Sequence, residues 1–310
     1  MKIYQCIQDF EAVAHPIVTI GTFDGVHLGH EAIFSKMKEE AKKTGGETVV
    51  ITFFPHPRLV LYQNSVNLKF INTREKKIER LEKVGIDHLI IIPFTKEFAQ
   101  NSSEQFVTDY VVKYVHPDKI IIGYDHHFGK NREGNIRLLE SLKHKFGYEV
   151  LEVPPFYVDG LPVSSTRIRK LLHTGNVKEA NRMLGYEYAI TGKVVRGNAI
   201  GHKIGFPTAN LEIPNEYKLI AANGVYACRV LIGDRLFKGM SNIGVRPTID
   251  HGDLTIEVNI FNFDEDLYGK RITIQFVDRL RDEKKFESLE ALKAQLAKDK
   301  KHSNAILKTT

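Results

Sequence analysis

Cysteine is scarce in this chain of 310 residues: Cys6 and Cys228 stand far apart, and no CxxC pair occurs. Neither a disulfide framework nor a cysteine zinc site is expected. Long apolar runs are missing too. The strongest, Leu89–Phe94, is far too short to span a bilayer. The stretch from Met1 to Asp9 holds no apolar leader core. Basic residues never cluster densely enough to point to nucleic acid, apart from a lysine-rich end after Ala297. These absences lead us to expect a cytoplasmic protein with neither a membrane nor a nucleic-acid partner.

What is present is ordinary for a globular chain: 42% hydrophobic and 26% charged residues, with a net charge of +6. That length favours two domains, and that charge suits anionic small molecules. The first half is organised around Val18-Thr-Ile-Gly-Thr-Phe-Asp-Gly-Val-His-Leu-Gly-His30. It starts as a buried strand, turns through Gly21, Gly25 and Gly29, and reaches His27 and His30 where a helical pattern opens. A strand, a glycine turn and a helix N-terminus make a phosphate site, because free N–H groups and the positive dipole end converge there. Two imidazoles can add hydrogen bonds to phosphate oxygens. A metal pair is the other functional reading, but no third ligand stands at a recognisable spacing.

Apolar strands at 17–23, 48–54, 87–94, 119–123 and 149–153 alternate with helical stretches at 30–43, 74–84, 102–115 and 135–146. The pattern predicts a parallel sheet covered on both faces, with ligands at the strands' carboxyl ends. Those ends are Gly21–His30, Phe54–His56 and Gly123–Gly129. Ser164-Ser-Thr-Arg-Ile-Arg169 then opens a further helix that Gly175 closes. A serine cap and two arginines make it either a second anion site or a well-capped surface helix.

Near Leu184-Gly185 the texture changes. Short strands at 188–195, 224–232, 235–243, 255–260 and 271–276 predict a small antiparallel barrel or sandwich, closed by a helix over 286–298 with Ser288 as its cap. We therefore place one domain at 1–185 and the second at 186–310. Gly197, Gly201 and Gly205 recur at a spacing of four, ahead of Phe206-Pro-Thr-Ala-Asn210. Thr208 and Asn210 share a face if extended, and their oxygens are hard ligands suited to Mg²⁺. Glu257 lies mid-strand between Thr255 and Asn259. That polar face is either solvated, or it carries a general base inside the barrel mouth.

These motifs resemble a known family. Gly21–His30, Phe53-Phe-Pro-His-Pro57 and Ser164–Arg169 are similar to the FMN adenylyltransferase module of bacterial bifunctional FAD synthetases, which are HxGH nucleotidylyltransferases. Gly205–Asn210, Asn242-Ile-Gly-Val-Arg-Pro-Thr248, Glu257, Asp264–Gly269 and Leu280–Phe286 resemble riboflavin kinase, the second module of the same enzymes. The two matches cover nearly the whole chain in the family's order. The resemblance implies a Rossmann-like domain followed by a barrel, and the substrates riboflavin, FMN and ATP, with FAD as product. It implies ATP over Gly21, Phe23, Asp24, Gly25 and Gly29, with His27 and His30 on the phosphates. Ser165, Thr166 and Arg169 would hold the β- and γ-phosphates. In the barrel it implies Thr208 and Asn210 on Mg²⁺–ATP, Glu257 as the base on the ribityl hydroxyl, and Gly197, Gly201 and Gly205 over phosphates. His56, Phe128 and Arg281 would lie at the flavin. The chain has Asp125-His-His-Phe128 where many relatives have an Asn-Phe-Arg-Phe type loop. Three other readings stay open: another nucleotidylyltransferase, a chain with only its kinase module active, and a flavin-binding regulator without turnover.

Overall fold

Six runs of mostly apolar residues in the unit Met1–Ser164 pair as one parallel sheet. They are β1 (Lys2–Tyr4), β2 (Ile17–Ile20), β3 (Thr48–Phe54), β4 (His88–Pro93), β5 (Lys119–Gly123) and β6 (Glu149–Val153), in the order β1-β4-β3-β2-β5-β6. The computed structural model describes residues 1–61, 68–197, 200–245 and 254–308. Successive strand residues point to opposite faces. Accordingly Val18, Val49, Ile51, Ile90 and Ile120 enter one core, while Ile17, Val50, Leu89, Ile91 and Ile121 enter the other. Burial on both faces explains why these strands read as continuous apolar runs.

The strand order reverses at β2, which pairs with β3 on one side and β5 on the other. The carboxyl ends of β2 and β5 release the 21–27 and 124–129 loops. Ligands of open parallel sheets settle in the crevice at such a switch point.

Helices start where side chains can take up free amides. Thr73 caps the Arg74–Val84 helix, its hydroxyl accepting from the Lys76 amide at 3.3 Å. Ser102 and Gln105 form a reciprocal capping box ahead of Ser103–Phe106, and the chain continues as a π-helix over Val107–Val115. β1 was not foreseen. Three residues are too few to show a period. A small antiparallel hairpin, β7 (Tyr157–Val158) with β8 (Leu161–Pro162), follows β6.

The unit Ser165–Thr310 begins with helices Ser165–His173 and Val177–Leu184. A closed antiparallel barrel follows, in the order β10-β13-β12-β11-β14-β9. Its strands are β9 (Ala189–Val195), β10 (Ala209–Glu212), β11 (Gly224–Ile232), β12 (Arg235–Val245), β13 (Leu254–Ile260) and β14 (Arg271–Arg281). Tyr226, Cys228, Ser241, Ile243, Ile256 and Val258 are fully buried or nearly so, and alternation sends them to one face, the barrel interior. Burial there pushes the Cys228 thiol well up. On the opposite face, Ala227 and Val277 pack against Leu307 and Ile306 at the end of the Leu289–Ile306 helix. Ser288 caps that helix, accepting from the Ala291 amide at 3.1 Å.

Candidate functional sites

The first site grows from the turn between β2 and the Leu28–Thr44 helix. Its backbone enters the left-handed region at Phe23 (φ 48°), Gly25 (φ 89°) and Val26 (φ 40°). For a β-branched residue such as Val26 that conformation is strained, and such strain concentrates at ligand sites. A Cβ on Gly25 would also press to 3.0 Å on Ile71. A Cβ on Gly29 would meet the His27 ring at 3.2 Å. A larger residue there would have to push the imidazole aside by a few tenths of an ångström.

His27 is the N-cap. Its Nδ1 accepts from the His30 amide at 3.3 Å, and the residue is 5% exposed. The two imidazoles stack with centroids 3.6 Å apart, and Phe23 stands edge-on to His30 at 5.1 Å. Burial, then the neighbouring His27 and Lys77, hold the His30 pKa well below its usual value. At neutral pH His30 carries no charge and offers hydrogen bonds rather than charge compensation. Its Nδ1 is buried with no hydrogen-bond partner, an unsatisfied polar atom of the kind a ligand can satisfy.

Other expected residues of this unit have structural tasks. The Asp24 carboxylate accepts from the Ile71 and Asn72 amides at 3.1 and 3.2 Å, tying the turn to the segment before the Arg74–Val84 helix. Gly21 lies under the Phe23 ring, where a Cβ would come within 2.8 Å. His56 stacks on Phe70 at 4.5 Å and accepts from the Arg58 amide through Nδ1 at 3.2 Å. Phe128, expected at the flavin, is 6% exposed and packs on Phe106 within the core. Its backbone pairs with Gly134, and a Cβ on Gly134 would press against the Phe128 ring at 2.6 Å. Neighbouring His126 is pushed down to about 4 by burial, with His127 and Arg132 adding to the fall.

In the second unit, Ser165, Thr166 and Arg169 lie at the start of the Ser165–His173 helix. The barrel site is set by register. Asn210 on β10 and Asn242 on β12 both lie directly opposite Glu257 on β13. Directly opposed residues share a face, so the three form one polar row. Thr208 completes it, its hydroxyl donating to Glu257 Oε2 at 3.4 Å. The row is on the face opposite Ile256 and Val258, which corrects the expectation of a base inside the barrel mouth. Thr255, Glu257 and Asn259 alternate with the apolar interior and look outward.

The glycines ahead of the row are needed for approach. A Cβ on Gly197 would fall 2.1 Å from the Asn210 amide nitrogen, and one on Gly201 would fall 2.2 Å from the Phe206 carbonyl oxygen. Gly205 turns with φ 81°. Asn198 and Ala199 of this loop, and Arg246, Pro247 and Thr248 of the Asn242–Thr248 stretch, lie outside the described residues.

A hard divalent cation fits this donor set. Threonine hydroxyl, asparagine amide oxygen and carboxylate are all hard oxygens. Asn259, in the same strand face, donates from Nδ2 to the Pro207 carbonyl at 2.7 Å, yet its Oδ1 is buried with no hydrogen-bond partner. Such an orphaned acceptor next to Thr208 suits a cation or its water shell. Among the described residues no three His, Cys, Asp or Glu side chains cluster for a metal.

Arg281 has a task that its sequence position did not show. Its guanidinium clamps Asp299 of the final helix through Nε at 3.0 Å and Nη2 at 2.7 Å. The arginine side chain is 14% exposed and the aspartate 5%. Gln295 holds the same carboxylate at 2.8 Å. Removing one partner of a buried pair leaves the other uncompensated. Arg281→Met is expected to destabilise the barrel unit by about 3–5 kcal/mol, read by denaturant unfolding. An unchanged midpoint would return Arg281 to a ligand-only role. A cavity of 410 Å³ lies beside it, lined by Asn176, Lys178, Asp278, Arg279 and Asp282 among others. It does not include Glu257, and its mixed charges select neither anion nor cation.

The chain thus joins a parallel sheet with a histidine-capped glycine turn to a closed barrel that carries a carboxylate beside threonine and asparagine side chains. The FAD synthetase family model matches residues 10–167, and the riboflavin kinase model matches residues 184–307. The chain belongs to the family of bifunctional riboflavin kinase/FMN adenylyltransferases. A relative of that name from Listeria monocytogenes is 37% identical over 93% of this chain and 91% of its own. One from Buchnera aphidicola subsp. Acyrthosiphon pisum is 36% identical over 96% of both chains. A crystal structure from Streptococcus pneumoniae, described as a macrolide-efflux protein, superposes with a TM-score of 0.89 at 33% identity, over 97% of this chain and 98% of that one. Among the described residues here, no helix is long and apolar enough to cross a membrane.

Proposed function

We propose that this chain makes flavin cofactors in two ATP-dependent steps, each run by its own module, with the boundary at residues 185/186. Family matches ending at 167 and beginning at 184 support two modules meeting in this stretch, while the compact units divide earlier, at Ser164/Ser165. The observation that carries the residue-level reading is the Asn210–Glu257–Asn242 row with the Thr208 hydroxyl 3.4 Å from the carboxylate.

In the first step the ribityl 5′-hydroxyl of riboflavin attacks the γ-phosphorus of ATP. A P–O bond to the leaving ADP breaks as the new one forms, and the hydroxyl proton must go elsewhere. Glu257 accepts it. A primary alcohol is a poor nucleophile while it keeps that proton, so a positioned carboxylate speeds the step. Thr208 and Asn210 would hold magnesium, which when bound spreads the charge of the transferring phosphoryl group. Gly197, Gly201 and Gly205 let the loop backbone lie against the phosphates.

In the second step an FMN phosphate oxygen attacks the α-phosphorus of ATP and pyrophosphate leaves. The nucleophile is already ionised at neutral pH, so no strong base is required. Alignment and hydrogen bonding are. His27 and His30, at the helix N-terminus, donate to the phosphate oxygens as charge builds on them. Two hydroxyls and a guanidinium at one helix start support a role on the ATP phosphates for Ser165, Thr166 and Arg169. We place both steps in the cytoplasm, where ATP is made. Cys6 and Cys228 are free thiols, in keeping with a reducing compartment.

The test is to incubate purified protein with riboflavin, ATP and Mg²⁺ and to separate the flavins over time. FMN should rise first and FAD follow. FMN accumulating without FAD would leave only the kinase module active. Flavin binding without any product would make the chain a regulator.

A further inference from the structure

Beside the phosphate turn lies a lysine to which neither reaction step assigns a role. Lys77, on the Arg74–Val84 helix, reaches across to the carboxyl ends of β2 and β3. Its Nζ donates to the Thr22 carbonyl oxygen and to Thr52 Oγ1, both at 3.1 Å. The Thr52 hydroxyl itself donates to the Thr22 carbonyl at 3.5 Å, and Thr52 is fully buried. Thr22 opens the strained turn that Phe23, Gly25 and Val26 complete. One ammonium thus ties the first residue of the turn to both the sheet and a helix. An amide or methyl group in its place could not reach two oxygens and also carry charge.

We propose that Lys77 is a positioning residue for adenylyl transfer: it fixes the phosphate turn through Thr22 and places a positive charge beneath the ATP phosphates beside His30. The inference rests on the adenylyltransferase reading of this module. With His30 uncharged, Lys77 adds its charge to the positive potential of the helix N–H groups and of Arg74 on the same helix. The groups that face Lys77 fit the role. Asp24, from the turn, favours its protonated form, and Arg74, on its own helix, opposes it. His30 also feels the lysine, which helps keep that imidazole neutral. Thr22 and Thr52 present only oxygens.

The charge is also titratable in a useful range. Burial lowers the Lys77 pKa to about 8, with Asp24 opposing the fall and Arg74 adding to it. Phosphate monoesters finish ionising near pH 6, so a limb near pH 8 is not theirs. ATP binding should pull the lysine back to its protonated form, because an anion favours the charged state.

The experiment uses the full chain, with FMN supplied directly, and measures kcat/KM for ATP from pH 6.5 to 9.5. In the wild type it should fall above pH 8, approaching tenfold per unit. Lys77→Arg, which stays charged, should keep at least a third of the activity at pH 7 and lose the alkaline limb. Lys77→Met should drop at least tenfold at pH 7 and also lose the limb. Riboflavin phosphorylation by the same samples should change less than twofold. Thermal unfolding of the arginine variant at wild-type temperature separates positioning from misfolding. A flat wild-type profile, or an alkaline limb that survives in either variant, overturns the proposal. Absence of FAD from the wild type would instead overturn the reading of the module.

Discussion

Glu257→Ala is expected to cut riboflavin phosphorylation by about 100- to 10,000-fold, the range that a lost general base typically costs. Conversion of supplied FMN to FAD should continue at the wild-type rate. The asymmetry follows from the fold. Glu257 lies on β13 of the barrel, and its neighbours Asn210, Asn242 and Thr208 come from the same unit. Glu257→Gln keeps the shape and a hydrogen bond to Thr208 but cannot take a proton. It should be as inactive as the alanine variant, with KM for riboflavin little changed. Separate assays of the two half-reactions decide the matter. A glutamine variant with full kinase activity would reduce Glu257 to a spacer between two asparagines.

The mirror experiment is His30→Ala. Losing one donor to a developing oxyanion costs about 100- to 1,000-fold, and only FAD formation should suffer. The alanine also removes a ring that stacks on His27 and meets Phe23 edge-on, so some stability is lost as well. His30→Gln controls for this, since it leaves a side chain of related length with an amide donor. If the glutamine variant recovers part of the rate, the histidine serves as a neutral donor. If both variants lose kinase activity to the same degree, the modules are not independent and the assignment fails.

Much of this was legible because it depends on local pattern. Glycines beside histidines at the end of an apolar run specify a strand, a tight turn and a capped helix, whatever the rest of the chain does. Strands at Lys119–Gly123, Glu149–Val153 and Gly224–Ile232 have the same limits in the structure. What stayed hidden depends on partners far away in sequence. Period two shows that Glu257 and Ile256 face opposite ways, but not which face is the barrel interior. Arg281 reads as an available cation until Asp299 appears beside it, eighteen positions along the chain. Phe128 looks like an exposed loop aromatic until the loop is seen to fold over Phe106. Lys77 is one more helix lysine in a run of charges, and only the sheet ends above it give it a task.

The cap at His27 has a consequence for proton placement. Its Nδ1 accepts the His30 amide hydrogen, so a neutral ring must carry its own hydrogen on Nε2. The first helical turn therefore selects the tautomer, and the N–H vector is pointed before any nucleotide arrives. Asparagine at this position would mimic the Nδ1 acceptor and keep the helix start while losing the Nε2 donor. Glutamine would approximate the Nε2 donor and loosen the start. Folding and recognition are thus written on two nitrogens of a single ring, and a substitution can edit one without the other.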